Sequence, residues 1–168
     1  MKSLLLSLTL LLAGPAFAQE AGHAHAPAAL EISGAFIRAT LPKAPVGGAY
    51  LTIANPGAQD DRLLAVKSPV GDSAEIHEMA HAEGVMSMRP LPEGLPIPAG
   101  DSVSLTPGGY HIMINGLTAP LVKGETLDLT LVFEKAGEIP VSFEILAMNA
   151  RSHPDSGAHG GQEGKGHD

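Results

Sequence analysis

The sequence predicts an all-β domain, a sandwich or barrel with Greek-key connections. Three observations carry that expectation. Short segments alternate apolar and polar residues with the period of a strand, and turn residues recur about every ten positions. Beyond the first eighteen residues, no window longer than ten shows the 3.6-residue period of an amphipathic helix. Many short strands with regular turns and no helix fit a sandwich or barrel.

Met1 to Ala18 stands apart. Lys2 supplies a positive start, Leu4 to Leu12 an apolar stretch too short to span a bilayer, and Ala16-Phe17-Ala18 a cleavage site. Export is expected, to the periplasm in a bacterium, with cleavage after Ala18. Residues 19–29 are small and polar, a flexible leader whose His23 and His25 are at most adventitious metal binders. The predicted domain occupies residues 30–150. Its strands are Leu30 to Arg38, Ala49 to Ile53, Asp61 to Lys67, Ala74 to Glu78, Val85 to Arg89, Ser102 to Leu105, Tyr110 to Asn115, Leu127 to Glu134 and Val141 to Met148. Between them lie turns such as Asn55-Pro56-Gly57, Pro107-Gly108-Gly109 and Ala136-Gly137-Glu138. Pro90 to Pro98 carries four prolines and cannot be helical. Met148 and Phe133 read as core, and His81 as a loop residue. From residue 151 to 168 the chain holds no apolar side chain larger than alanine, a disordered tail bearing His153, His159 and His167.

Composition removes several function classes. The full chain carries a net charge of −8, and loss of Lys2 with the leader takes it to −9. Nucleic-acid binding needs clustered Lys and Arg, and an anionic membrane surface would repel this chain. There is no cysteine. That excludes disulfides, a lipidated cysteine and the thiolate of a blue-copper electron-transfer site. No G-x-S-x-G elbow and no cysteine nucleophile is present, and His77-Glu78-Met79-Ala80-His81, which spells H-E-x-x-H, falls where no helix is predicted although that zinc motif needs one, so an enzyme is not expected.

The chemistry concentrates between His77 and Met113. Here stand His77-Glu78-Met79, Met86-Ser87-Met88 and His111-Ile112-Met113, each a pair of soft or borderline ligands separated by one residue. Residues i and i+2 of a strand share a face, so each triplet presents both ligands together. Four of the five methionines beyond Met1 fall in this window. Thioether and imidazole without thiolate or carboxylate select Cu(I) over Zn, Ca or Mg. The competing reading is ordinary packing, since methionine is a common core filler.

Ten residues separate His77 from Met88, and twenty-two separate Met88 from His111-Ile112-Met113. This pattern resembles the signature of the PCu(A)C family of periplasmic copper chaperones, in which the second gap is usually one residue shorter. Arg38-Ala39-Thr40, Gly48-Ala49-Tyr50-Leu51, Asp61-Arg62-Leu63-Leu64 and Pro107-Gly108-Gly109-Tyr110 are also similar to the family. The extra residue falls most simply in the Pro90 to Gly94 loop.

The resemblance implies a cupredoxin-like β-sandwich holding one Cu(I) on His77, Met88, His111 and Met113. It further implies a monomer that carries copper toward the dinuclear CuA centre of cytochrome c oxidase or toward other periplasmic copper proteins. Met79 and Met86 are auxiliary candidates. So are His153, His159 and His167, as a Cu(II) site on the tail. A copper buffer without a dedicated acceptor would carry the same ligands.

Overall fold

The computed structural model describes residues 29–82 and 85–154. The expected signal segment, the leader through residue 28, and the tail's His159 and His167 lie outside the described residues. Ten strands follow one another: β1 (Glu31–Arg38), β2 (Val46–Ala54), β3 (Asp61–Lys67), β4 (Ser73–Ala82), β5 (Val85–Pro90), β6 (Leu95–Ile97), β7 (Ser102–Leu105), β8 (Tyr110–Asn115), β9 (Thr126–Phe133) and β10 (Gly137–Leu146). The fold is all-β, a cupredoxin-like sandwich, as expected.

Hydrogen bonding links the strands in the order β5-β4-β8-β2-β1-β10-β9-β3-β6, with β7 also paired to β2. All the pairs are antiparallel except β1 with β10. The two halves of this path face each other across one core. Ile37, Leu51, Ile53, Ile76, Ile112 and Ile114 come from one half, and Leu63, Leu129, Leu131, Phe133, Phe143 and Ile145 from the other. The alternation that predicted the core strands therefore has a direct cause, because one face of each fills this interior, whereas β5 is exposed along its length.

The chain turns its corner in β1. Register shifts between Ser33 and Phe36, where Gly34 adopts a left-handed φ of 59°. Such a bulge bends a strand and increases its twist. Past the bulge, Phe36 and Ile37 pair with both β10 and β2, and Arg38 pairs with β10.

Four sequence expectations change. The strand predicted over Ala74 to Glu78 runs from Ser73 to Ala82, so His81 belongs to a strand paired with β5 and not to a loop. Leu95–Ile97 forms β6 inside the proline-rich stretch, its two ends buried and paired to β3. Pro96 is tolerated there because β6 ends the sheet path, with no second neighbour among the described residues. The last strand begins at Gly137, taking in Pro140 where β10 is paired only with β9. It ends at Leu146, which leaves Met148 beyond the sheet and half exposed, not in the core. In the stretch assigned from sequence to the disordered tail, His153 returns to the sheet, its Nε2 3.2 Å from Glu144 Oε2, and just before it Arg38 Nε donates to the Ala150 carbonyl at 2.7 Å.

Leu131 is fully buried where the two layers meet. Leu131→Ala is expected to lower unfolding free energy by about 2–5 kcal/mol, the usual cost of a core cavity. Urea denaturation checks it, with the midpoint falling and the slope unchanged.

Candidate metal centre

One face of β4 and β8 points inward and builds core, through Ile76 and Ile112. The opposite face carries the ligand candidates. Strand register decides which of them meet. His77 stands directly across from His111, Glu75 across from Met113, and Met79 across from Met88 on β5. Met113 is also paired with Gly48 of β2. The imidazoles of His77 and His111 have centroids 5.8 Å apart with their planes tilted by 42°.

Both histidines are buried, at 6% and 8% exposure, whereas Met88 is 47% exposed on an edge strand. The imidazoles are thus sheltered and the thioether opens to solvent.

Hydrogen bonds fix the proton of His111. Its Nδ1 lies 3.1 Å from the Gly109 carbonyl, which can only accept, so Nδ1 donates and Nε2 is bare. That bare Nε2 is 3.2 Å from Met88 Sδ. Two lone-pair donors face each other with no proton between them, an arrangement that a bound cation would relieve. Gly109 also accepts from the Met79 backbone N–H, which ties the β7–β8 turn to β4. Burial holds the His111 pKa below the ordinary histidine value, the nearby His77 lowers it further, and the Gly109 bond opposes the shift only in part.

His77 shows a second sign of the same kind. Its Nε2 lies 3.0 Å from Glu75 Oε2, while its Nδ1 is buried with no hydrogen-bond partner. A buried polar atom without a partner is costly, so one beside a candidate metal site asks for a ligand. The His77 bond, and a second from Ser73, hold the Glu75 carboxyl below its usual range.

Among the described residues no three of His, Asp and Glu converge to hold a metal ion. A centre here needs sulfur, which favours a soft ion. The structure brings Met88 to His111. Met86 is one register step farther out, opposite His81, and half exposed. His153 is bound to Glu144 on β10, four strands along the sheet path from β4. It is not part of the cluster.

The sequence reading left Glu75 out. Its signal was its position, two residues before His77 and on the same strand face, which is the spacing that singled out the methionines. Tyr50, on β2 beside β8, packs on Phe36 at 5.0 Å between ring centroids, with the Arg38 guanidinium over its ring. Burial raises the Tyr50 pKa, and Arg38 offsets part of that.

The chain matches the LpqE-like lipoprotein family over residues 30–145. It is 31% identical over 116 residues to a protein described as a lipoprotein, Lxx21020 of Leifsonia xyli subsp. xyli, covering 69% of each chain. Among solved structures, the copper-bound PCuAC domain of PmoF2 is 26% identical with a TM-score of 0.59, over 73% of this chain and 97% of that one. The Cu(I) form of DR1885 from Deinococcus radiodurans is 30% identical with a TM-score of 0.60, over 80% of this chain and 87% of that one.

A Cβ built on Gly48 would lie 2.7 Å from Tyr50 Oη and 3.2 Å from Cζ, in a ring already packed by Phe36. Gly48→Ala should therefore displace Tyr50 and cost about 1–3 kcal/mol of stability, as overpacking does. Thermal unfolding and the near-UV signal of Tyr50 report the change.

Proposed function

The chain belongs to the LpqE-like family and its folded domain is a PCuAC domain, and from that premise we propose that it is a copper(I) chaperone of the periplasm. The single observation that carries the reading is the bare Nε2 of buried His111 set 3.2 Å from the exposed Met88 sulfur, across the strand pair from the unpartnered Nδ1 of His77. Likeness to PCuAC domains solved with copper supports it. In this reading His77, Met88, His111 and Met113 hold one Cu(I). Met113 shares the outward face of β8 with His111, at i and i+2.

The donor set explains the choice of ion. Two neutral imidazoles and two thioethers leave the bound ion with net charge +1 and fit Cu(I) better than Cu(II), which prefers nitrogen and oxygen in tetragonal geometry. It also explains release. Met88 is on an edge strand that is exposed along its length, so an incoming protein can reach the metal from the sulfur side. Thiolates bind Cu(I) more tightly than thioethers, so transfer to a cysteine-bearing acceptor runs downhill. The CuA centre of cytochrome c oxidase fits that description, as do other copper proteins with thiolate sites. Met79, opposite Met88 in register, is placed to serve as a transient ligand during handover.

Export follows from the leader at Met1 to Ala18 and agrees with a family described as lipoproteins. This chain has no cysteine to carry a lipid, so it acts as a soluble carrier after cleavage.

An anaerobic Cu(I) competition titration tests the reading. One Cu(I) per domain is expected. Met88→Ala and His111→Ala should each weaken it by more than about 100-fold, beyond the 10–100-fold typical of an outer-shell loss. Truncation after Ala150 should retain binding. Persistence of binding in both point variants with loss in the truncated chain would overturn the strand site in favour of the histidine tail.

Binding should also depend on pH in one direction. Protons compete with copper for His111, whose depressed pKa moves that competition below the ordinary histidine value near 6.5. Affinity is expected to be flat above neutrality and to fall only as pH drops below about 6.5. A steep loss between pH 8 and 7 would contradict the assignment.

A further inference from the structure

Glu75 is attached to the cluster by more than one bond. Its Oε2 lies 3.0 Å from His77 Nε2, and its Oε1 accepts from Ser73 Oγ at 3.2 Å. Ser73 Oγ in turn accepts from Asn115 Nδ2 at 3.2 Å. Ser73, Glu75 and His77 alternate along β4 and so share its outward face, and Asn115 pairs with Ser73 across the β4–β8 ladder. The result is a directed chain, in which Asn115 donates to Ser73, Ser73 to Glu75, and His77 Nε2 to Glu75.

We propose that Glu75, held by Ser73 and Asn115, is a positioning residue that keeps the His77 proton on Nε2, so that copper is bound through Nδ1. This deepens the copper reading and rests on it. An ionised carboxylate has no proton to give, so a hydrogen bond at this contact must use an Nε2–H. In the neutral ring that leaves the lone pair on Nδ1, the buried atom without a hydrogen-bond partner. His111 is set the opposite way. The Gly109 carbonyl holds its proton on Nδ1 and bares Nε2 toward Met88. The two imidazoles facing each other across β4 and β8 thus offer different nitrogens to one ion, each fixed by a partner at the ring's other nitrogen. Outer partners of this kind orient a ligand and raise its basicity, and their loss typically costs 10–100-fold in metal affinity. Glu75 is also half exposed, which places its effect at the lower end of that range.

Long-range proton–nitrogen NMR of the full chain reads the tautomer directly, first without metal and then with Cu(I). Without metal, the wild type is expected to show His77 protonated on Nε2 and His111 on Nδ1. Glu75→Gln keeps an acceptor oxygen and should preserve the His77 tautomer, with Cu(I) affinity within about threefold of the wild type. Glu75→Leu removes the acceptor, and should give a mixed His77 tautomer with Cu(I) affinity weakened about tenfold, at the low end of outer-shell losses. Adding Cu(I) should move the His77 Nδ1 and His111 Nε2 resonances. A His77 proton on Nδ1 in the metal-free wild type, a Cu(I)-dependent shift at His77 Nε2, or a Glu75→Leu chain equal to wild type in tautomer and affinity would each overturn the proposal. A chain that binds no Cu(I) overturns the copper reading as well, whereas Cu(I) held with His77 Nδ1 still protonated overturns this inference alone.

Discussion

The antiparallel register between β4 and β8 is the constraint on which the rest depends. It sets His77 opposite His111, Glu75 opposite Met113 and Ile76 opposite Ile112. A one-residue slip of β4 would carry His77 into the apolar core and bring Ile76 to the surface. Burial of Ile76 and Ile112 in the shared core therefore holds the histidines together as effectively as any contact between them. The same apolar faces that fold the sandwich align the polar ones.

Shelter and access are divided between ligand types. The imidazoles are buried, which lowers the affinity of His111 for protons. The sulfur of Met88 stands on the exposed edge of the sheet. Thioethers carry no charge and no proton, so exposing one brings neither a desolvation cost nor a pH dependence. An edge strand normally invites pairing with another chain. Here Pro90 closes β5 and Arg89 pairs with Glu78 of the neighbouring strand, which gives this edge charge as well as methionine.

Each histidine is oriented by a group that is not itself a ligand candidate. For His111 this is a backbone carbonyl in the β7–β8 turn, where Gly108 takes a φ of 92° and Gly109 donates to Thr106. For His77 it is a side chain, Glu75, on the same strand. The turn that launches β8 and the alternation along β4 thus determine which nitrogen each ring presents.

The sequence by itself determined the class of fold and the chemistry of the donors. Period-two alternation is local, because each strand must bury one face, so it was legible over β2, β3, β7, β8 and β9 without any knowledge of their neighbours. The i, i+2 spacing of His and Met, with no cysteine in the chain, pointed to a soft metal by the type of the candidate donors alone. Tertiary structure decided what depends on pairing. By their i, i+2 spacing Met88 and Met86 are equivalent, and the ten-residue gap from His77 favours Met88; the β4–β5 register then sets Met88 opposite Met79, within reach of His111, and Met86 opposite His81. β6 was hidden among prolines because its donor losses are tolerable only at the sheet's edge. Met148 read as core by pattern, but β10 ends before it. Glu75 and Gly109 became visible as partners of the imidazoles only once the strands were paired, since a proton's place on a ring is set by the group that happens to face it.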